Sequence, residues 1–174
     1  VDRRAGRIVS EDSAPLVELL DGIEIPGISL SVHAVRDYRF ALVLKGDGLG
    51  DRISETDPQQ ALVPPPIARA LSKDSETAAR AVNAFVTAAQ AVLGKRSTAN
   101  MVLLRGFSRL PHMPDFGATY HLNPAAVAAY PMYRGVAKLV GMKILPTGQS
   151  FDEEIDALER HYREHNFFFL HYKP

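Results

Sequence analysis

The chain has 174 residues and 46% hydrophobic side chains, enough for one buried core, or for one and part of a second. Its 20 basic and 20 acidic residues balance, which excludes the strongly basic footprint of a nucleic-acid binder. The absence of cysteine excludes disulfides and thiolate metal sites, and no apolar run approaches the ~18 residues of a membrane span.

The opening run Asp2-Arg3-Arg4-Ala5-Gly6-Arg7 is basic and compact. Ser10-Glu11-Asp12 reads as a helix start, with Ser10 as N-cap and acids in the first turn. That helix runs through Leu16 and Leu20 and stops near Gly22. Residues 28–35 and 39–45 read as two strands joined by a turn at Asp37-Tyr38, a β-hairpin. A glycine-rich loop follows at 46–50, and the prolines of 61–67 predict an extended connection. Asp74-Ser75 opens the clearest helix, with Ala78, Val82, Phe85, Ala89 and Leu93 at helical spacing and Gly94 at its end.

Residues 101–104 read as a short strand ending in Arg105-Gly106, and 107–120 as a loop. Asn123-Pro124 predicts the cap and first turn of a second helix reaching about residue 140, kinked or broken by Pro131. Residues 151–165 predict a third amphipathic helix. Residues 167–172 predict an apolar strand of the kind buried on both faces of a parallel sheet. The sequence stops at Pro174, just past that strand's carboxyl end, where ligands of open α/β sheets bind. The fold class read from this order is α/β.

Several residues carry chemistry. Arg3, Arg4 and Arg7 offer fork-shaped donors suited to phosphate or carboxylate, or form a solvated basic surface. Arg39 and Lys45 stand at even spacing and share a strand face, either as an anion site or as the wet side of a hairpin. Asp47-Gly48-Leu49-Gly50-Asp51 has the look of a metal loop and equally of a hairpin end. Arg105-Gly106 closes a strand where ligand contacts cluster. His161 and His165, four residues apart, read as an exposed helix face, and His171 as a core or rim histidine. No nucleophile elbow and no Walker motif is present.

In order along the chain come DRRAGRI, ALVLKG, Asp57-Pro58, Ala99-Asn100, LRG, Gly135-Val136-Ala137 and FFLHYKP. This series resembles the archaeal-type, 2,3-bisphosphoglycerate-independent phosphoglycerate mutases of the alkaline phosphatase superfamily. The resemblance covers nearly the whole chain, and DRRAGR and FFLHYKP are its most specific parts. It implies an isomerase of glycolysis and gluconeogenesis that interconverts 3- and 2-phosphoglycerate in the cytoplasm, with no nucleic-acid or membrane partner. It also implies two divalent metal ions (Mn2+ or Mg2+, or Zn2+) and a hydroxyl nucleophile.

The family's Asp-Gly-rich metal motif and its Thr-Asp…Gly-His segment do not occur in this sequence. The resemblance therefore implies an internal fragment, inactive alone, with no catalytic or metal-ligating residue. Residues 1–122 are expected to form an inserted substrate-binding domain, a small mixed or antiparallel sheet covered by helices. Residues 123–174 are expected to form part of the alkaline-phosphatase-like core. DGLGD, lying after DRRAGR and VLKG, is then a decoy for the metal motif.

Carried over by position, the substrate-binding candidates are Arg3, Arg4, Arg7, Arg39, Lys45, Arg105, Arg134 and Lys173, with Asp2 and Asp57 orienting the arginines. The sequence departs from the family at Tyr38 and Gln59, where histidine is frequent, at Arg134, where lysine is usual, and at Phe107-Ser108. These departures leave room for a paralogue acting as a phosphatase or homoserine-kinase-like enzyme. A stand-alone anion-binding module is the reading from a different class.

Overall fold

The computed structural model describes residues 2–173; Val1 and Pro174, the last residue of the FFLHYKP run, lie outside the described residues. The chain divides between Arg109 and Leu110 into two units, ahead of the boundary expected after residue 122. The cause is a short helix at Phe116–Tyr120, whose Phe116 ring packs on Phe167, 5.0 Å between centroids, within the second unit.

In the first unit, α1 (Ser10–Asp21) precedes β1 (Ser29–Arg36) and β2 (Arg39–Lys45). The two strands pair antiparallel from Ser29↔Lys45 to Arg36↔Arg39, with a register shift near the turn. Asp37 takes the left-handed φ of 54° that closes the turn. Strand alternation turns Phe40, Leu42 and Leu44 inward and leaves Arg39, Val43 and Lys45 exposed, so the two cations do share a face. The long helix α2 (Glu76–Leu93) follows a 3-10 turn at Lys73–Ser75. Its stripe of Ala78, Val82, Phe85, Ala89 and Leu93 is buried in one core with Leu16, Leu20, Val32 and Leu104.

Ser10 is the first residue of α1 and not its cap; Val9 holds the cap position, and the Ser10 hydroxyl instead accepts the backbone N–H of Asp37, 2.9 Å away. Residues 101–104 do not form a strand. Leu104 is pinned to Thr56 on both sides: its carbonyl accepts the Thr56 N–H at 2.9 Å, and its own N–H meets the Thr56 hydroxyl at 2.7 Å. A side-chain oxygen replaces the backbone acceptor there, so no ladder propagates.

The second unit is a three-stranded parallel sheet in the order β4-β3-β5: β3 (Pro124–Ala128) is central, flanked by β4 (Lys143–Ile144) and β5 (Phe167–His171). The helices are α3 (Phe116–Tyr120), α4 (Pro131–Leu139) and α5 (Phe151–His161). The crossover through α4 runs from β3 to one side, and that through α5 returns past β3 to the other. Right-handed crossovers in opposite directions put their helices on opposite faces. Ala125, Val127, Phe168 and Leu170 accordingly cluster with Ala157 and Leu158 of α5.

Here the sequence reading needs correction. The segment after Asn123 is a strand, not a helix: Pro124 to Ala128 are all buried. Alanine's helix preference is weak beside burial between two layers, and a strand of small residues lets both layers approach. Pro131 is the first residue of α4, where its missing N–H costs nothing. Residues 107–120 are not wholly loop, because Asp115 caps α3 by accepting the Ala118 N–H at 2.7 Å. The third amphipathic helix ends at His161, so His165 lies beyond it. Its start is set by a capping box in which Ser150 and Glu153 each bond the other's backbone N–H. β5 is half-buried throughout; the strand buried on both faces is β3. No helix among the described residues is long and apolar enough to cross a membrane.

Phe85 is fully buried at the centre of the α2 stripe. Phe85→Ala is expected to destabilise the first unit by about 3–5 kcal/mol, through lost transfer energy and the cavity left behind. Urea unfolding followed by the amide signals of residues 76–93 measures it; a loss near the Ile→Val scale would mean that the α2 stripe does not carry this core.

Candidate functional site

The site in the first unit grows from one local pairing. Because Thr56 is zipped to Leu104, the next residues along, Asp57 and Arg105, are brought together. Glu55 extends the zip by accepting the Gly106 N–H at 3.1 Å, where glycine takes a φ of 70°. Asp57 is buried, with 5% of its side chain exposed, and a buried carboxylate needs partners. It has three. The Arg3 fork reaches both its oxygens, Nε to Oδ1 and a terminal nitrogen to Oδ2, each at 2.7 Å. The Gln59 N–H donates at 2.9 Å, and Arg105 approaches at 3.5 Å. The Arg3 bond foremost, aided by Gln59, holds the Asp57 carboxyl at a pKa of about 2, against the raising effect of burial.

Arg3 reaches Asp57 because the residues around it coil back. The Asp2 carboxylate accepts the backbone N–H groups of Arg4 at 2.9 Å and Gly6 at 2.6 Å. These bonds, Arg4's first, lower the Asp2 pKa. Ala5, Gly6 and Arg7 all sit at positive φ, from 51° to 69°, a run that side-chain-bearing residues rarely adopt. Asp2 thus orients Arg3 through the main chain and not through a bond to a guanidinium. Beside the turn lies a cavity of about 380 Å³, lined by Asp2, Gly6, Thr98, Ala99, Asn100 and Met101 among others. Its size suits a small metabolite.

Tyr38 is near enough to influence Arg3 electrostatically, and the Arg39 guanidinium lies 4.6 Å from the Tyr38 ring centre while donating to its hydroxyl at 3.2 Å. Both hairpin-turn and Asp-Pro departures from the resemblance, Tyr38 and Gln59, therefore border the Arg3–Asp57 pair. Lys45 is at the opposite end of β2. Six residues of strand span about 20 Å, too far for Lys45 and Arg39 to hold one small anion. Arg4 and Arg7 are exposed and form no ion pair among the described residues.

The arrangement divides the arginines. Arg3 is spent on Asp57 and rigid. Arg105, 62% exposed, touches Asp57 with one nitrogen and leaves most of its fork in solvent. Sequence reasoning missed Glu55, which ties Gly106 and, through its other oxygen, the Gln59 side chain at 3.2 Å. No spacing rule signals a contact between residues so distant in the chain.

Arg134 and Lys173 belong to the second unit. Arg134 is exposed on α4, and the Lys173 ammonium stands 4.1 Å over the Tyr130 ring centre. His161 lies 3.1 Å from Glu164, and His165 packs edge-on against Phe168, so the two histidines do not form one helix face.

The DGLGD loop is spent on the fold. A Cβ on Gly50 would overlap the Ser75 hydroxyl and the Asp74 backbone. Asp51 accepts the Arg109 N–H at 3.2 Å, and the Leu49 carbonyl accepts two bonds from the Arg109 guanidinium. Among the described residues no three His, Asp or Glu side chains come close enough together to hold a metal ion.

The family model for 2,3-bisphosphoglycerate-independent phosphoglycerate mutase matches residues 1–99. A protein of Thermosipho melanesiensis named a probable 2,3-bisphosphoglycerate-independent phosphoglycerate mutase is 40% identical over 99% of this chain and 44% of its own length. A protein of Thermus thermophilus with the same name is 39% identical, again over 99% and 44%. The structure of a cofactor-independent phosphoglycerate mutase from Thermoplasma acidophilum superposes with a TM-score of 0.71 at 24% identity, over 99% of this chain and 51% of that one. The chain thus spans less than half the length of these curated relatives.

Asp57's folded pKa lies below its ordinary 3.8, so the stability it contributes is complete above about pH 4 and is lost as pH falls toward 2. The contribution is on the order of 1–2 kcal/mol, discounted because Arg3 keeps part of its surface in water. The difference in unfolding free energy between wild type and Asp57→Asn is expected to shrink across that acid window. A difference independent of pH from 5 to 2 would mean that the pair does not hold the proton off.

Proposed function

The chain belongs to the 2,3-bisphosphoglycerate-independent phosphoglycerate mutase family, and from that membership we propose that it is the substrate-binding part of an enzyme interconverting 3- and 2-phosphoglycerate. The observation that carries the reading is the array of Arg3, Asp57 and Arg105, in which Arg3 pairs closely with Asp57 and the loosely held Arg105 stays mostly exposed. A phosphoglycerate presents two anionic ends, and planar forks suit both phosphate and carboxylate.

The geometry supports a division of roles. Asp57 and Asp2 are positioning residues, the first through Arg3 and the second through the turn. Arg105 takes the anion directly. Arg39, Arg4, Arg7 and Lys45 add positive potential along the same unit, and Arg134 and Lys173 are the contacts proposed for the second unit. We read the first unit as belonging to the inserted substrate-binding domain, and the second as part of the alkaline-phosphatase-like core. Its parallel sheet with flanking helices supports that reading. The two divalent ions proposed for the parent enzyme, Mn2+ or Mg2+ or Zn2+, are assigned to no residue of this chain.

In the complete enzyme, Arg105→Ala is expected to lower kcat/KM at least about tenfold, the cost of one charge-assisted contact to an anion. Unchanged kcat/KM, measured by following 2-phosphoglycerate formation, would remove the array from substrate binding. The 174-residue chain alone is expected to show no turnover with Mn2+ or Mg2+, checked by the same assay; any rate above the blank would place catalytic groups within it.

A further inference from the structure

The final strand sorts its side chains by parity. Phe168 and Leu170 face the α5 core. Phe169 and His171 point the other way. On that side His171 is clasped: its ring stacks on Tyr133, from the first turn of α4, with centroids 3.3 Å apart and planes 20° apart, and Phe169 flanks it at 6.2 Å. The ring's Nδ1 is buried and has no hydrogen-bond partner among the described residues. Nε2 is therefore the only ring nitrogen able to meet a ligand.

The position is the carboxyl edge of two adjacent parallel strands, β3 and β5, where the chain leaves toward Tyr130 and Lys173. Lys173 follows two residues after His171, just past the end of β5, so both lie at this one edge. Lys173 is held over Tyr130, and Tyr130 and Tyr133 are themselves 6.1 Å apart. The ion pairs of this unit lie elsewhere, between Glu164 and both Lys143 and His161, leaving His171, Lys173 and Arg134 without acidic partners among the described residues.

We propose that His171 is a ligand-contacting residue, donating from Nε2 to an oxyanion that it shares with Lys173. Tyr133 is then a positioning residue that fixes the ring's direction. Naming the oxyanion as the phosphoryl group of the substrate rests on the mutase reading; the binding of the anion does not.

The test uses the 174-residue chain, labelled with 15N, and inorganic phosphate as the probe. Long-range proton–nitrogen spectra report the rings of all six histidines. At constant ionic strength, phosphate is expected to move the His171 signals saturably while leaving His33, in the first unit, in place. Lys173→Ala, on an exposed side chain, is expected to weaken that response about tenfold, the scale of one charge-assisted bond. If the amide spectrum shows that K173A disturbs the fold, Lys173→Gln, which keeps most of the side chain but not the charge, replaces it, with weakening again expected. A static His171, a shift matched by sodium chloride alone, or full-strength binding in the folded variant would overturn the proposal. Its failure beside a crippled R105A enzyme would leave the mutase reading standing. Phosphate binding at His171 beside an unimpaired R105A enzyme would do the reverse.

Discussion

Asp57 carries a full charge with only a twentieth of its side chain in water, and the first unit is arranged around that fact. A carboxylate so placed stays ionised only when partners replace its water. Arg3 does so with two short parallel bonds, and this fixes where the N-terminal run must pass. The left-handed coil at Ala5–Arg7 and the Asp2 carboxylate that stitches it follow from the same demand. On the other side, the Thr56–Leu104 pairing sets Arg105 against the remaining oxygen edge. Removing one partner of a dry ion pair costs about 3–5 kcal/mol; here the figure is lower, since Arg3 keeps about a third of its side chain exposed.

What the sequence made legible was what periodicity can express. The hairpin, α2 and α5 have clean alternation or a stripe, and all three form where they were expected, although α5 stops at His161, short of residue 165. The run after Asn123 has neither: five consecutive buried small residues show no amphipathic period, and alanine argues for helix when read alone. Only the layers on both sides, which local sequence does not contain, make it a strand. The five-residue α3 hid in a Pro- and Gly-rich stretch because a single Asp115 cap starts it. Ser10 shows the converse error, a residue with good capping chemistry whose hydroxyl was taken by Asp37, far along the chain.

The same limit governs the site. Arg3, Asp57 and Arg105 were each visible as charges and as members of the family pattern. Their convergence was not visible, because a contact across 54 residues leaves no trace in spacing. Tyr133 and His171 were weaker still as signals: one is an ordinary aromatic in a helix's first turn, the other a lone histidine in an apolar strand. Their meaning comes from the stack between β5 and α4.

Arg3 and Lys173 are held by different physics, and the difference bears on what each can contribute. A guanidinium bound to a carboxylate is well oriented but partly neutralised, so Arg3 supplies geometry more than potential. An ammonium over an aromatic face is steered by the ring's quadrupole, an attraction of only about 0.5–1 kcal/mol at an exposed site, and it keeps its full charge. Lys173 over Tyr130 is of this second kind. Charge developing on a transferring phosphoryl group is stabilised by unneutralised cations, whereas a substrate is recognised by fixed forks. On that ground Arg3 is suited to fixing orientation, and Lys173 to contributing charge.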